Sequence, residues 1–180
     1  MSIYTRTGDT GQTGLANGER VHKNSPVINF VGLLDELNAN LGLCVSHLKL
    51  IANYDFSDEV RNLEKIQNNL FVIGSISVFV KLEFEVEKEI LQLENMIDEY
   101  EKNLPKLTNF ILPGGHIIAS QIHLIRTTAR KVEIMSHALD HEDIKVIAPY
   151  LNRLSDYLFV LARYVNFKLN YPETIWKISK

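Results

Sequence analysis

The chain has 180 residues, of which 46% are hydrophobic and 23% charged, with a formal net charge of −3. That length is enough for one domain with a sizeable core, and the near balance of charge excludes the basic footprint of a nucleic-acid binder. A lone Cys44 excludes an intramolecular disulfide, and no Cys/His spacing has the form of a zinc site.

The N-terminus lacks a positively charged segment followed by an apolar one, so no secretory signal is read there. The longest apolar run, residues 70–80, is broken by Gly74, Ser75 and Ser77 and falls short of the ~20 residues a membrane helix needs. The expectation is a cytoplasmic protein with no membrane or nucleic-acid partner, spanning 1–180 as a single domain.

The first stretch, IYTRTGDTGQTGL, reads as a loop. Gly8, Gly11 and Gly14 recur at every third position among threonines, a composition that lets backbone N–H groups converge on an anion. A plain flexible arm is the competing reading. The stretch is neither a Walker loop nor a dinucleotide fingerprint, since no Gly-Lys-Ser/Thr and no long helix follow it. Lys23, just beyond, would supply a point charge.

Ser25-Pro26 marks a helix start, with Ser as N-cap and Pro in the first turn. Phe30, Leu33, Leu34, Leu37 and Leu41 form its core stripe, which Cys44 extends, while Asp35, Asn38 and Gly42 sit off it. A second helix begins near Ser57 with Leu63, Ile66, Leu70 and Ile73 inward. A third, 85–103, carries Val86, Ile90, Leu93, Ile97 and Tyr100 and is stopped by Leu104-Pro105.

The stretch FILPGGHIIASQIHLIRTTARKVE breaks at Pro113-Gly114-Gly115 and then feeds a long helix. Ile118, Ile122, Ile125, Ala129 and Val132 follow one buried face, whereas Arg126, Arg130, Glu133 and His137 share the other. Two guanidinium groups one turn apart repel each other unless something anionic lies beside them. Either Glu133 or a neighbouring carboxylate neutralises them, or the row is a permanently charged clamp for phosphate or carboxylate.

After a break at 138–143 a last helix runs to about Asn166, with Leu151, Leu154, Leu158, Leu161 and Val165 inward. Asn152, Asp156, Tyr157 and Arg163 are expected off that stripe, and Pro149 in an early turn. The tail from Asn170, with Pro172 and Trp176, carries no clear signal. The fold class expected is all-α: a five-helix antiparallel bundle of the ferritin-like up-and-down type, its helices 18 to 27 residues long, with a Gly/Thr-rich N-terminal loop.

Five blocks then carry a resemblance: IYTRTGDTGQTGL, DELNANLG (35–42), FILPGG (110–115), IRTTARKVE around Arg126 and Arg130, and YLNRLSDYLFVLAR (150–163). In this order they resemble the PduO-type ATP:cob(I)alamin adenosyltransferases. The resemblance implies a homotrimer with active sites between subunits, moving the 5′-deoxyadenosyl group of ATP onto cob(I)alamin with release of triphosphate. By motif position Thr5, Arg6, Thr7, Gly8, Thr13, Gly14 and Lys23 look like the nucleotide loop, and Arg130, Lys131, Glu133 and Asn152 like the remainder of the ATP site. Asp35 and Arg126 look like a salt-bridged pair, and Phe110 like the aromatic that displaces the lower ligand of the corrinoid.

ATP, cob(I)alamin or cob(II)alamin, and Mg2+ held mainly through the ATP phosphates are the implied substrates and cofactor. A flavin reductase and an adenosylcobalamin-dependent mutase or dehydratase are the implied partners. Two departures stand out: Arg130-Lys131-Val132-Glu133-Ile134 replaces a richer basic run, and Val27 stands where the family often has Arg. The softened basic run supports an alternative, a non-catalytic ATP- or cobalamin-binding sensor or delivery module. A di-iron bundle is disfavoured, because the one Glu-x-x-His spacing, Glu19 to His22, falls in the arm.

Overall fold

The structure is a computed structural model that describes Tyr4 and residues 6–177; Thr5 lies outside the described residues. It consists of a hairpin, β1 (Gln12–Gly14) and β2 (Arg20–His22), followed by five helices: α1 (Pro26–Lys49), α2 (Ser57–Ser77), α3 (Val86–Glu101), α4 (Ile117–Ser136) and α5 (Glu142–Lys168). Among the described residues no helix is long and apolar enough to cross a membrane.

The hairpin is the first departure from the expected loop. Gln12 pairs with His22, Thr13 with Val21 and Gly14 with Arg20 in an antiparallel register. Three-residue strands are too short to leave an alternating pattern in the sequence. The turn closes through Leu15 N–H to Glu19 O at 2.8 Å and is tied to the end of α2 by Ala16 N–H to Val78 O at 3.1 Å.

The helices share one apolar core that includes Phe30, Leu37, Leu63, Leu93, Ile122, Leu154 and Tyr157. α5 packs against α4, α3 and α2, and α1 bridges α2 and α4. A helix with neighbours on several sides is buried nearly all round, which is why two residues expected on its outer side, Tyr157 and Arg163, are both inside. Asn152 and Asp156 are exposed as expected, and Pro149 falls within the early part of the helix. α3, at 16 residues, is shorter than expected.

Two small-scale readings of α1 also change. Ser25 has the extended backbone of an N-cap and Pro26 follows it, but the hydroxyl makes no capping bond and is buried without a partner. Asn38 is buried, donating to Gln67 O at 3.3 Å and accepting from Gln67 Nε2 on its carbonyl at 3.1 Å. Gly42 leaves room for that same amide, which a Cβ would meet at 3.1 Å. Asn38 and Gly42 therefore join α1 to α2, while Asp35 points outward.

Cys44 is buried, and burial pushes its thiol up to about 12, a structural cysteine rather than a reactive one.

Candidate active site

The arginine row of α4 is not neutralised by a carboxylate among the described residues of its own chain. Glu133 is the nearest candidate to neutralise it, yet its Oε1 is taken by His137 Nε2 at 2.9 Å. Among the described residues no ion pair involves Arg126 or Arg130. Arg126 is half-buried with its Nε shielded from solvent and unpartnered. Burial, and then the charge of Arg130, lower its affinity for its proton. Two uncompensated guanidinium groups, one partly desolvated, form a local positive site on a chain whose total charge is −3.

The N-terminal loop presents a second cationic element. Lys23 folds back on Gly8, whose missing Cβ would lie 3.1 Å from the Lys23 Nζ, and Lys23 N–H donates to Gly11 O at 2.9 Å. Arg20 holds the loop from the other strand, donating to Thr7 O at 2.9 Å. Arg6 takes a positive φ of 60°, a conformation non-glycine residues rarely adopt. Thr13 and Gly14 lie on β1.

The hairpin sits at the end of the bundle where α4 gives way to α5. The hairpin turn bonds to Val78 beyond α2, and the next residue, Phe79, stacks on His141 at 4.7 Å in the α4–α5 connection. Arg130 lies in the second half of α4 and Asn152 in the first half of α5. Yet neither strand packs against α4 in the same chain. Asp35 and Arg126 likewise form no ion pair within the chain. Asp35 occupies an exposed strip of α1 with Ala39 and Leu43, which Leu50 extends just past the helix.

Phe110 marks the opposite end of α4. From Ile117 to Arg130 the helix rises roughly 20 Å. Phe110 is 79% exposed, and its ring meets the Trp176 ring edge-on, at 6.3 Å between centroids. The tail, silent in sequence, runs beside residues 110–112: Trp176 N–H donates to Phe110 O and Leu112 N–H to Thr174 O, both at 2.8 Å.

The Pro-Gly-Gly break is held by a residue that motif reading passed over. Asn166 donates to Gly114 O at 2.9 Å and accepts from His116 N–H at 2.9 Å, while His116 Nδ1 caps α4 by accepting from Ile118 N–H at 3.2 Å. The signal available was a polar residue one turn beyond the Leu-rich stripe of a buried helix.

Lys131 and Ile134 are both exposed on α4, and Val27 packs partly buried against the core. Ile117, Leu124 and Ile134 form further exposed apolar positions on the helix that bears the arginines.

The cobalamin adenosyltransferase family model matches residues 3–165. A cobalamin adenosyltransferase of Cupriavidus metallidurans is 41% identical over 97% of this chain and 94% of its own. A corrinoid adenosyltransferase of Bacillus subtilis is 40% identical over 92% and 87% respectively. A Phe-to-Ala variant of the PduO-type ATP:corrinoid adenosyltransferase of Lactobacillus reuteri, complexed with cobalamin and ATP, superposes with a TM-score of 0.91 at 32% identity, over 98% of this chain and 100% of that one.

Proposed function

The chain belongs to the cobalamin adenosyltransferase family, and we propose how its own residues divide the work of corrinoid adenosylation. The protein moves the 5′-deoxyadenosyl group of ATP onto cob(I)alamin. Cobalt(I) supplies the electron pair of the new cobalt–carbon bond and becomes formally cobalt(III). The C5′–O bond breaks, and its pair leaves with the triphosphate.

Such a nucleophile needs no serine, cysteine or general base. The protein has to hold C5′ in line with cobalt and stabilise the charge that leaves. Orientation in well-preorganised systems lowers a barrier by roughly 7–11 kcal/mol, whereas one charge-stabilising donor contributes about 3–4 kcal/mol. Positioning is the larger contribution.

In this reading Arg6, Thr7, Gly8, Thr13, Gly14 and Lys23, with Thr5, hold the nucleotide, and Arg130, Lys131, Glu133 and Asn152 complete the site from a neighbouring copy. The unpaired state of Arg126 and Arg130 is the observation that carries it: they lack an anion, and a triphosphate and a carboxylate are what they fit. The carboxylate is Asp35 of a second copy, whose exposed strip runs on into Leu43 and Leu50. With Ile117, Leu124 and Ile134 these give an apolar surface suited to a homotrimer. Magnesium, when bound, would be held mainly through the phosphates of ATP and would shield their charge.

Phe110 faces the lower side of the corrin, where an apolar ring excludes the axial ligand without donating to the metal. Cobalt(II) without that ligand is easier to reduce, and a flavin reductase in the cytoplasm is the fitting electron source. The product passes to an adenosylcobalamin-dependent mutase or dehydratase. The reaction is tested by mixing protein, MgATP and chemically reduced cob(I)alamin: adenosylcobalamin and free triphosphate appear in equal amounts, and absence of ATP binding overturns the assignment.

A further inference from the structure

The C-terminal tail is fastened to the Phe110 segment with more care than a trailing end requires. After α5 the chain reverses at Asn170, which has a φ of 61°, and Tyr171 N–H bonds back to Asn166 O at 2.8 Å. Two residues on, Glu173 is gripped by Arg163, only 2% of whose side chain is exposed: Nε donates to Oε1 at 2.5 Å and Nη2 to Oε2 at 3.3 Å. The same Nη2 also donates to Pro105 O at 2.8 Å, tying in the start of the segment that leads to Phe110.

A buried ion pair is costly to desolvate and contributes geometry more surely than stability. Here the geometry it sets is a strand register. Ile111 bridges Ile175 antiparallel, which makes Trp176 the cross-strand partner of Phe110. A slip of one residue would turn Trp176 to the other side of the ribbon. In the observed register the two rings meet edge to face, at an interplanar angle of 80°, and both line one cleft of about 620 Å³ with Leu107, Asn109 and Lys177.

We propose that Trp176 is a positioning residue for Phe110 in corrinoid activation, and that the Arg163–Glu173 clasp sets it in register. The inference rests on the reading of Phe110 given above. An exposed phenylalanine on a connecting segment has rotamers to choose from, and the indole edge removes those that swing it away from the corrin. Its effect falls on expulsion of the lower ligand from cobalt(II), before any electron or adenosyl group moves.

The test uses the full chain with MgATP and cob(II)alamin, following the four-coordinate cobalt(II) species by electron paramagnetic resonance, in which coupling to the axial nitrogen disappears. Trp176→Ala lowers the four-coordinate fraction and kcat by roughly tenfold or more, while KM for ATP stays within about twofold of its original value. Trp176→Phe restores most of the loss. The loss is smaller with cob(II)inamide, which carries no tethered base to expel. Glu173→Gln, which loosens the clasp and keeps the ring, shows the same selective pattern more weakly.

Phe110→Ala serves as the reference. If it abolishes the four-coordinate species and Trp176→Ala does not change it, the positioning role is overturned and the reading of Phe110 stands. If neither variant changes it, the reading of Phe110 is overturned and the inference goes with it. A rise in KM for ATP that matches the fall in kcat also overturns the inference, because it marks a general loss of structure.

Discussion

The carboxamide of Asn166 stands where a side chain at Gly115 would have to go: a Cβ there would fall 2.3 Å from the Asn166 Oδ1. Gly115 also has a φ of +101°, so two independent constraints meet at one residue. Gly115→Ala is expected to destabilise the fold by about 1–3 kcal/mol from backbone strain, with the clash added. Asn166→Ala removes the clash but leaves Gly114 O and His116 N–H without their partner, at about 1–3 kcal/mol each if both stay buried. Denaturant unfolding of the double variant shows less loss than the sum of the singles. Strict additivity would mean that the two residues do not share this space.

Arg130 and Phe110 lie toward opposite ends of α4 and should fail in different ways. Arg130→Ala lowers kcat/KM for ATP by roughly 10²–10³, as loss of one charge-stabilising donor does elsewhere. Phe110→Ala leaves ATP binding intact and prevents the four-coordinate cobalt(II) species from forming. Equal loss of ATP affinity in both variants would contradict this division.

Asp35 and Arg126 have no ion pair with each other inside one chain, so any coupling between them belongs to the contact between copies. A double-mutant cycle with Asp35→Ala and Arg126→Ala, read on oligomer stability and on kcat, should give a coupling of about 0.5–3 kcal/mol. No coupling in the assembled protein would exclude the pairing.

His123 sits one turn before Arg126, buried, with Nδ1 unpartnered. Burial first, and the charge of Arg126 second, hold its pKa down to about 4 from 6.5, against the opposing charge of Glu173. Between those values the unfolded chain binds more protons than the folded one. Stability fully present above pH 6.5 is therefore lost as pH falls toward 4. His123→Gln should remove that part of the acid slope in unfolding free energy. An unchanged slope would show that His123 is not its source.

Much of this was readable from the amino acids alone. The five helices appear because Leu and Ile recur at helical spacing and Pro26, Pro105 and Pro113 punctuate them. The Gly-rich stretch, the α4 arginines and Phe110 stand as candidates from motif alone. What escaped is set by tertiary contact. Tyr157 and Arg163 look like surface residues until α5 is seen to be enclosed by three other helices. Asn38 and Asn166 look like ordinary polar positions until their backbone partners, far away in sequence, are known. The tail has no periodicity of its own, since Thr174 and Trp176 are ordered by pairing with residues 110–112. The hairpin is three residues deep, too brief for a pattern.

The joint grip on triphosphate by the loop of one copy and α4 of another is tested most directly by mixing two damaged proteins. Lys23→Ala and Arg130→Ala should each use ATP poorly. Allowed to exchange copies, the pair should regain activity, because some junctions then join an intact Lys23 to an intact Arg130. Mixed oligomers that form and stay inactive would place both residues in the same chain's site and contradict the shared one.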